Sequence, residues 1–431
     1  MPETDAPPRG WYHGWTIVGA LVLSQVAANS LTYYCFPQFV PLWAAELHVR
    51  ASALQLAIFA MLLGAAPASV VVGLWADRYP ARRLFGAGLA GMALFYLAIS
   101  YATQLWQVIA LYFALAAPAL TLCTSVAANP LVTRWFVRRL GLALGITTCG
   151  VGLAAAILPK IVAHFLPESG WRTIWRVGAL IVAVVVLPVL LAVLRDRPQP
   201  RDGYHYLDAQ PPLAGHGDGP AAGGIGWLQV MARPNFWVLV AVYLVMIGGG
   251  TAFVQNMGSF GRSRGLGLQD TASLIAAVGI AHVCAAIVMG ALSDRFGNRL
   301  PLAGMALAVA AGIGLLAVGG HSLPLLVLGA GLIGLNAAVF TPLSAAIATE
   351  FGAAAFGRAF GLAMLFLPLS QLLPFAVQRS AEATGSYLPG MAGCAVLLVI
   401  VAGLSLLLRE RAPAIVPAGE PLVAAGPLPP A

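Results

Sequence analysis

The sequence predicts an all-α membrane protein in which twelve transmembrane helices form two pseudo-symmetric six-helix bundles. Apolar residues make up 60% of the 431 residues and charged residues only 9%, too few charges to cover the surface of a water-soluble protein of this length. The apolar residues form runs of about 20, the length that a helix needs to cross the hydrocarbon layer. One short charged motif also occurs twice, almost half a chain apart, which indicates an internally repeated architecture.

The apolar runs define twelve predicted spans, six before residue 195 and six after residue 235. Their bounds are 14–40, 52–75, 83–102, 105–130, 139–165, 171–194, 236–257, 271–292, 300–319, 323–348, 358–379 and 387–408. We therefore predict an N-terminal bundle over 14–194 and a C-terminal bundle over 236–408, after a short N-terminus, 1–13. The stretch 195–235 combines Pro, Gly and charged residues and is predicted to be a flexible linker, whereas the Pro- and Ala-rich tail 409–431 is expected to be disordered.

Basic residues are distributed unevenly between the two sides of this topology. If the N-terminus lies inside, 16 of the 23 lysines and arginines fall on inner segments and 7 on outer ones. Cytoplasmic loops carry such an excess, so we predict that both termini, the linker and both copies of the motif are cytoplasmic. The Ala-, Gly- and Arg-rich composition favours a bacterial inner membrane. The net charge of +8 lies mostly at span ends, where it orients the chain, and does not indicate nucleic-acid binding.

The repeated motif lies after the second span of each half. It reads Gly-Leu-Trp-Ala-Asp-Arg-Tyr-Pro-Ala-Arg-Arg over 73–83 and Gly-Ala-Leu-Ser-Asp-Arg-Phe-Gly-Asn-Arg over 290–299. An acid there can bind the N-terminal end of a neighbouring helix, and the arginines can hold carboxylates or carbonyls of the other half. We predict a conformational latch, the alternative being loop charges that only orient the chain. The predicted latch residues are Asp77, Arg78, Arg82, Asp294, Arg295 and Arg299.

With this motif in both halves, the chain resembles the major facilitator superfamily of transporters. A narrower resemblance, to the monocarboxylate transporters and the oxalate/formate antiporters, depends on three stretches near span ends. They are Tyr12-His13-Gly14-Trp15, then Trp135-Phe136-Val137-Arg138-Arg139 with Gly141, Ala143, Gly145 and Gly150, and Gly170-Trp171-Arg172. The resemblance implies two bundles around a central cavity and an organic anion as substrate.

His282 is the ionisable side chain predicted nearest the middle of the membrane. It lies 12 residues after Asp270 and 12 before Asp294, or ~18 Å from each at 1.5 Å per helical residue. Ionisable groups at this depth usually face a cavity, and histidine titrates near neutral pH. We predict that His282 binds substrate and carries a proton, the alternative being a neutral packing histidine.

The family's charged site is altered in this chain. In the monocarboxylate transporters the eighth span carries an acid and, one turn later, an arginine; here these positions hold His282 and Ala286. Tyr33 stands near the place of the family's lysine in the first span. In the oxalate-type relatives the eleventh span has a lysine, where this chain offers Gln371 and Gln378. Dicarboxylate substrates are therefore not expected.

Polar side chains on the predicted cavity-lining spans complete the candidate site. Asn29, Tyr33 and Tyr34 lie on the first span, and Asn29 and Tyr33 are one helical turn apart. Gln255 and Asn256 lie on the seventh span, Asn336 on the tenth and Gln371 on the eleventh. We select Asn29, Tyr33, Tyr34, Asn256 and Gln371 together with His282; apart from His282, each is as easily explained by interhelical hydrogen bonding. Lys160, the one lysine, is placed at the outer interface, either to attract anions or to snorkel.

The function expected is secondary active transport of a small organic acid by alternating access with proton symport. The substrate would be a monocarboxylate with a hydrophobic or aromatic body. Two alternatives stay open: efflux of hydrophobic or drug-like compounds, and a transporter-like membrane sensor. We find no nucleophile–base pair, cysteine spacing for a metal or phosphate-binding loop, so neither an enzyme nor a cofactor is expected. The expected partners are the lipid bilayer, the organic anion and a proton, with no nucleic acid and no obligate protein partner.

Overall fold

The computed structural model describes residues 12–136, 139–196, 227–296, 299–339, 343, 346–347, 350–351 and 353–407. Throughout these ranges the regular structure is helical. The α-helices are α1 His13–Asn29, α2 Phe36–Glu46, α3 Ala51–Arg78, α4 Ala81–Ile99, α5 Leu105–Leu111, α6 Ala117–Cys123, α7 Ser125–Trp135, α8 Leu140–Ile181, α9 Leu187–Val193, α10 Trp227–Met231, α11 Pro234–Ser263, α12 Leu268–Phe296, α13 Arg299–Val318, α14 Leu323–Gly334, α15 Ala353–Leu365, α16 Leu372–Thr384 and α17 Leu388–Leu407.

Within the described residues, ten helical stretches are long and apolar enough to cross a membrane. One of them, Leu142–Val193, contains Gly170 at φ 70° and ψ 159°, a non-helical conformation that breaks it between the predicted fifth and sixth spans. The 12-residue helix α14 lies at the predicted tenth span and continues into a 3₁₀ turn, Leu335–Val339. The protein is therefore a multi-pass, all-α membrane protein, and the count of twelve crossings stays a prediction.

A π-helical turn, Ser30–Tyr34, joins α1 to α2, and two further π turns interrupt other spans at Tyr112–Ala116 and Val182–Val186. In the first turn the Cys35 N–H donates to the Ser30 carbonyl at 2.8 Å. The Tyr96 hydroxyl donates to the Ala27 carbonyl at 2.7 Å. A π turn changes the register of the side chains that follow it. The first π turn, Ser30–Tyr34, contains the predicted site residues Tyr33 and Tyr34.

Each half of the chain has its own apolar core. In the first half, Phe39 stacks on Trp43 with ring centroids 5.7 Å apart, and Trp43 stacks on Trp175 at 6.0 Å. The second core extends from Val230 to Ala402, and Tyr34 packs into it from the first half. Each half therefore packs around its own core, and the two halves also pack against each other, most extensively where α8 meets α12.

Small residues bring the two halves into close contact. A Cβ on Gly152 of α8 would lie 2.8 Å from the Gly279 carbonyl of α12, so glycine permits this crossing. A second close contact lies toward the C-terminal end of α11. There a Cβ on Gly258 would lie 1.8 Å from the carbonyl of Pro37 in the first turn of α2. The backbones of α2 and α11 therefore touch in this conformation.

The predicted linker and tail lie mainly outside the described residues. Within the predicted linker, 195–235, the short helix α10 covers Trp227–Met231, and α11 begins at Pro234. The linker's other residues from 197 to 226 and the tail 409–431 are outside the described ranges. The domain bounds drawn from the sequence stay predictions.

Candidate substrate cavity

A cavity of about 250 Å³ lies between the two halves. Its walls come from α1 and the following π turn, α3, α6 and α8 on one side. On the other side they come from α11, α12, α14 and the 3₁₀ turns Leu335–Val339 and Leu367–Gln371. The lining residues are Asn29, Tyr33, Tyr34, Met61, Leu62, Leu120, Val151, Ile247, Gly250, Thr251, Val254, Val278, His282, Ile333, Gly334, Asn336, Leu367 and Gln371. Counting Lys160 with the six selected residues, five of the seven candidates predicted from the sequence thus meet around one space. None of the described lining residues is Asp, Glu, Lys or Arg.

The spacing of the lining residues follows the helical repeat. On α11 they are Ile247, Gly250, Thr251 and Val254, at positions i, i+3, i+4 and i+7 and therefore on one face. Gly250 is needed there because a Cβ on it would lie 2.2 Å from the amide nitrogen of Asn336. The glycine thereby lets the Asn336 side chain pack across α11 at the edge of the cavity.

A chain of hydrogen bonds crosses between the halves at the cavity wall. The Gln255 Nε2 donates to the Tyr33 hydroxyl oxygen at 3.3 Å and to the Gln371 Oε1 at 2.7 Å. Since the Tyr33 oxygen accepts from Gln255, its own O–H stays available to donate. The Tyr34 ring meets the Tyr33 ring edge-on, 5.2 Å between centroids, which restricts the orientation of both rings.

Two buried polar atoms among the lining residues have no hydrogen-bond partner in the part of the chain described. They are the Nδ1 of His282 and the Oδ1 of Asn336, and these side chains belong to residues only 7% and 6% exposed. A buried polar atom without a partner costs free energy, of order 1–3 kcal/mol. A solute with hydrogen-bonding groups would recover that cost, so these two atoms mark the polar region of the site.

Asn29 also lines the cavity, although its amide is already engaged. Its Nδ2 donates to the Gln25 carbonyl one turn earlier at 2.9 Å. The side chain is half-buried, and its amide orientation is held by its own helix. Asn29 can therefore offer its oxygen to the cavity without rearranging.

Asn256 does not line the cavity. Its Nδ2 donates to the carbonyls of Ala252 and Pro374 at 2.8 and 2.9 Å, and its Oδ1 accepts from the Gln55 Nε2 at 2.8 Å. The residue therefore ties α11 to α16 and, across the two halves, to α3. Its neighbour Gln255 contacts the site residues instead, which the sequence does not distinguish because both amides lie on the same apolar helix.

Lys160 is exposed and also lies apart from the cavity. Its backbone carbonyl accepts from the Gln269 Nε2 of the other half at 3.4 Å. A second, larger groove of about 390 Å³ lies between α1 and both segments of α8. Its lining is almost wholly apolar and includes none of the predicted site residues.

The predicted latch is described only in part. Arg78 and Arg82 are exposed and Arg299 is half-buried, whereas the side chains of Asp77, Asp294 and Arg295 lie outside the described set. The latch therefore stays a prediction. Within the first motif copy, the Ala81 N–H at the start of α4 donates to the Asp196 carboxylate, so an acid from elsewhere in the chain caps that helix.

Two of the three stretches that carry the narrower resemblance meet in space. The Tyr12 ring lies 6.0 Å from that of Trp135 and 5.5 Å from that of Phe136, and Trp15 packs on Phe136 at 4.8 Å. The Tyr12 hydroxyl also donates to the Trp135 carbonyl. Two stretches more than 100 residues apart thus form one aromatic cluster where α1 begins and α7 ends.

The family model of the Major Facilitator Superfamily matches residues 22–312. The chain belongs to the major facilitator superfamily. It is therefore a transporter rather than an enzyme, and the superfamily predicted from the repeated motif is confirmed.

Curated relatives include the Monocarboxylate transporter 11 of Mus musculus, 27% identical over 390 residues that cover 86% of this chain and 81% of that protein. The Monocarboxylate transporter 12-B of Danio rerio is 24% identical over 67% of this chain and 63% of its own length. A riboflavin transporter of Trypanosoma brucei brucei, RibJ, is 30% identical over only 32% of the chain and 26% of that protein. These matches agree with the monocarboxylate-transporter branch inferred from the sequence.

Among solved structures, the chain resembles a bacterial homologue of the human lysosomal transporter Spinster. The inward-facing, unoccupied form of that protein matches with a TM-score of 0.64 and 16% identity, over 92% of this chain and 97% of the other. Its inward-facing, occupied form matches with a TM-score of 0.66. At this identity the likeness concerns the fold.

Proposed function

We propose that the protein is a secondary active transporter of small organic acids, monocarboxylates with an apolar or aromatic body, working by alternating access. The observation that carries the proposal is the cavity of about 250 Å³ shared by both halves, with unpartnered polar atoms on His282 and Asn336. The likeness to two monocarboxylate transporters supports this class of substrate.

The chemistry of the walls fits a monocarboxylate better than a doubly charged acid. The Tyr33 hydroxyl and the His282 ring can donate to one carboxylate. Aliphatic side chains such as Met61, Leu62 and Val254 provide an apolar surface for the remainder of the solute. Since the described lining residues include no arginine or lysine, a second carboxylate among them would be buried without a counter-charge, at a large cost in free energy.

His282 is proposed as the proton carrier and as a substrate ligand. Protonation of its ring while the carboxylate is bound would make a neutral pair, which can cross the low-dielectric middle of the protein at less cost than a bare anion. The transport step is then the joint movement of acid and proton as one half rocks against the other around the cavity. The proposed latch of Asp77, Arg78, Arg82, Asp294, Arg295 and Arg299 would hold the two halves together at the opposite end in the alternate state.

The proposal also includes an orientation and a conformational state. If both termini lie in the cytoplasm of a bacterial inner membrane, as the arginine distribution predicts, the contacts between α2, α3, α11 and α16 close the outer side. The conformation described would then be inward-facing, the state named for the Spinster homologue. Accessibility of single cysteines to a membrane-impermeant thiol reagent in intact cells, at either chain end, tests the orientation.

The decisive experiment is uptake by proteoliposomes. Radiolabelled monocarboxylates are offered with and without an inward pH gradient, and proton movement is followed with an internal pH dye. We expect uptake that the gradient accelerates in the native protein and that His282→Gln loses. His321, which is exposed in a loop, provides the matched control as His321→Gln. Uptake by His282→Gln at the native rate and with the native pH dependence would remove this residue from the mechanism.

Efflux of hydrophobic compounds is the second candidate, favoured by the uncharged and largely aliphatic lining. The same vesicles distinguish the two functions. An efflux protein would move hydrophobic dyes and bind no carboxylate, whereas a monocarboxylate transporter would be thermally stabilised by its acid. Stabilisation by a neutral amide analogue equal to that by the acid would contradict the organic-acid proposal.

A further inference from the structure

Glu382 makes a contact between the two halves that the cavity does not involve. It lies in the last turns of α16, and its side chain is 19% exposed. One carboxylate oxygen accepts from the Ser52 backbone N–H at 2.7 Å, and the other accepts from the Ser52 hydroxyl at 2.7 Å. The two residues are 330 positions apart in the chain.

Ser52 is the second residue of α3, which explains why an acid binds there. The first N–H groups of a helix have no partner within the helix, and the helix dipole favours a negative charge at that end. In α3 no side chain of its own caps this end. The carboxylate from the other half therefore supplies the cap that α3 lacks.

The surrounding side chains hold Glu382 in place. The Arg379 guanidinium lies 3.8 Å from its carboxylate, and the Gln378 Nε2 lies 3.5 Å from it. The Tyr387 hydroxyl in turn donates to the Gln378 Oε1 at 2.7 Å. These contacts all come from the C-terminal half, so the carboxylate is fixed on one half and its cap is formed on the other.

The Glu382 contact lies with other contacts between the halves at the same end of the molecule. Gln55, one turn after Ser52 on α3, donates to Asn256 of α11 at 2.8 Å. Gly258 of α11 touches the Pro37 backbone. Opening of the cavity at this end requires α3 to separate from α16, and that separation breaks the cap.

We propose that Glu382 is an interhelical latch. By capping α3 across the two halves, it stabilises the conformation in which the N-terminal end of α3 is closed against α16. It is a residue of the transport cycle that makes no contact with substrate. A charge-assisted pair of hydrogen bonds of this kind shifts the ratio of closed to open forms by roughly tenfold. The inference rests on the alternating-access mechanism proposed above but not on the substrate.

The test measures the distance between the halves in the full-length protein. Nitroxide labels are placed on Ala45→Cys at the end of α2 and Leu388→Cys at the start of α17, both exposed, with the partly accessible Cys149 and Cys284 changed to serine. Double electron–electron resonance in lipid nanodiscs then gives the closed and open populations without any ligand.

We expect Glu382→Gln and Glu382→Ala to move the population toward the longer distance by about tenfold, and Ser52→Ala to move it less, because the Ser52 N–H bond remains. Glu168→Gln is the matched control, since this exposed glutamate near the same end belongs to α8 and makes no described contact with the other half. Its distribution should match the native one.

The outcomes separate the two proposals. If the native protein shows both a closed and an open population and folded Glu382→Gln shows the same ratio, the latch proposal is wrong, and alternating access is not affected. A single native distance that neither substitutions nor carboxylates alter would contradict alternating access itself. If Glu382→Ala does not fold, Glu382→Gln and Ser52→Ala give the answer, and thermal melting with monodisperse gel filtration establishes which variants are folded.

Discussion

The contact of Gly258 with the α2 backbone is the tightest that a Cβ would make at any described glycine, and it gives the sharpest prediction. A methyl group at Gly258 would stand 1.8 Å from the Pro37 carbonyl oxygen and 2.7 Å from its carbon. In Gly258→Ala the two helices must therefore separate until this contact reaches at least 3.0 Å. Since the obstructing atoms are backbone atoms of α2, no side-chain rotation relieves the clash.

The cost can be bounded from what overpacking does in other proteins. Inserting one methyl group where the backbone must move costs about 1–3 kcal/mol. This penalty applies only to the conformation in which α2 and α11 touch, because the contact is absent once this end opens. Gly258→Ala should therefore shift the closed-to-open ratio by roughly 5- to 150-fold, while the cores of the two halves stay intact.

The labelled Ala45–Leu388 pair measures this shift directly. Gly19→Ala is the matched control, because a Cβ on Gly19 meets nothing within 4 Å. We expect the native distribution in the control and a larger open population in Gly258→Ala. A folded Gly258→Ala protein with the native distribution and native uptake would show that α2 and α11 do not form the closing contact, and our account of this end would be wrong.

Three further substitutions test the site and its supports. Gly250→Ala should displace the Asn336 amide, whose nitrogen a Cβ would approach to 2.2 Å, and weaken carboxylate binding, measured by isothermal titration, roughly 5-fold or more. Asn256→Ala removes the shorter of the two hydrogen bonds of the buried Gln55 amide, leaving the Gln255 carbonyl at 3.4 Å, and removes the donor to the Pro374 carbonyl. It should lower the free energy of unfolding by about 1–3 kcal/mol; unchanged carboxylate affinity in this variant is expected, since Asn256 does not line the cavity. Asp196→Ala removes the cap of α4 and should cost about 0.5–2 kcal/mol, seen as a lower melting temperature; no change would mean that water caps α4 equally well.

Much of the architecture follows from properties that run along the chain. Span length and apolar content depend on local composition, so the membrane class and the repeated halves were predictable from the sequence. The depth predicted for His282 also follows from residue spacing, since a helix rises 1.5 Å per residue. The structure shows that His282 lines the cavity between the halves, while its depth in the membrane stays a prediction.

The side that each helix turns toward the cavity could not be predicted in the same way. In a soluble protein, polar residues mark the outer face of a helix, but a membrane helix is apolar on nearly every side and its rotation leaves little pattern. Gln255 and Asn256 are adjacent amides on one such helix. Only packing decided that Gln255 reaches Tyr33 and Gln371, while Asn256 ties α11 to α3 and α16.

The sequence by itself thus determined that this is a duplicated transporter of apolar helices, and it singled out His282 as the imidazole predicted at mid-depth. Only the tertiary structure decided which polar atoms lack partners around the cavity and that Glu382 caps α3 from the other half. The physical reason is that spans form from short-range hydrophobic runs, whereas a cap across 330 residues depends on how two separately packed bodies meet.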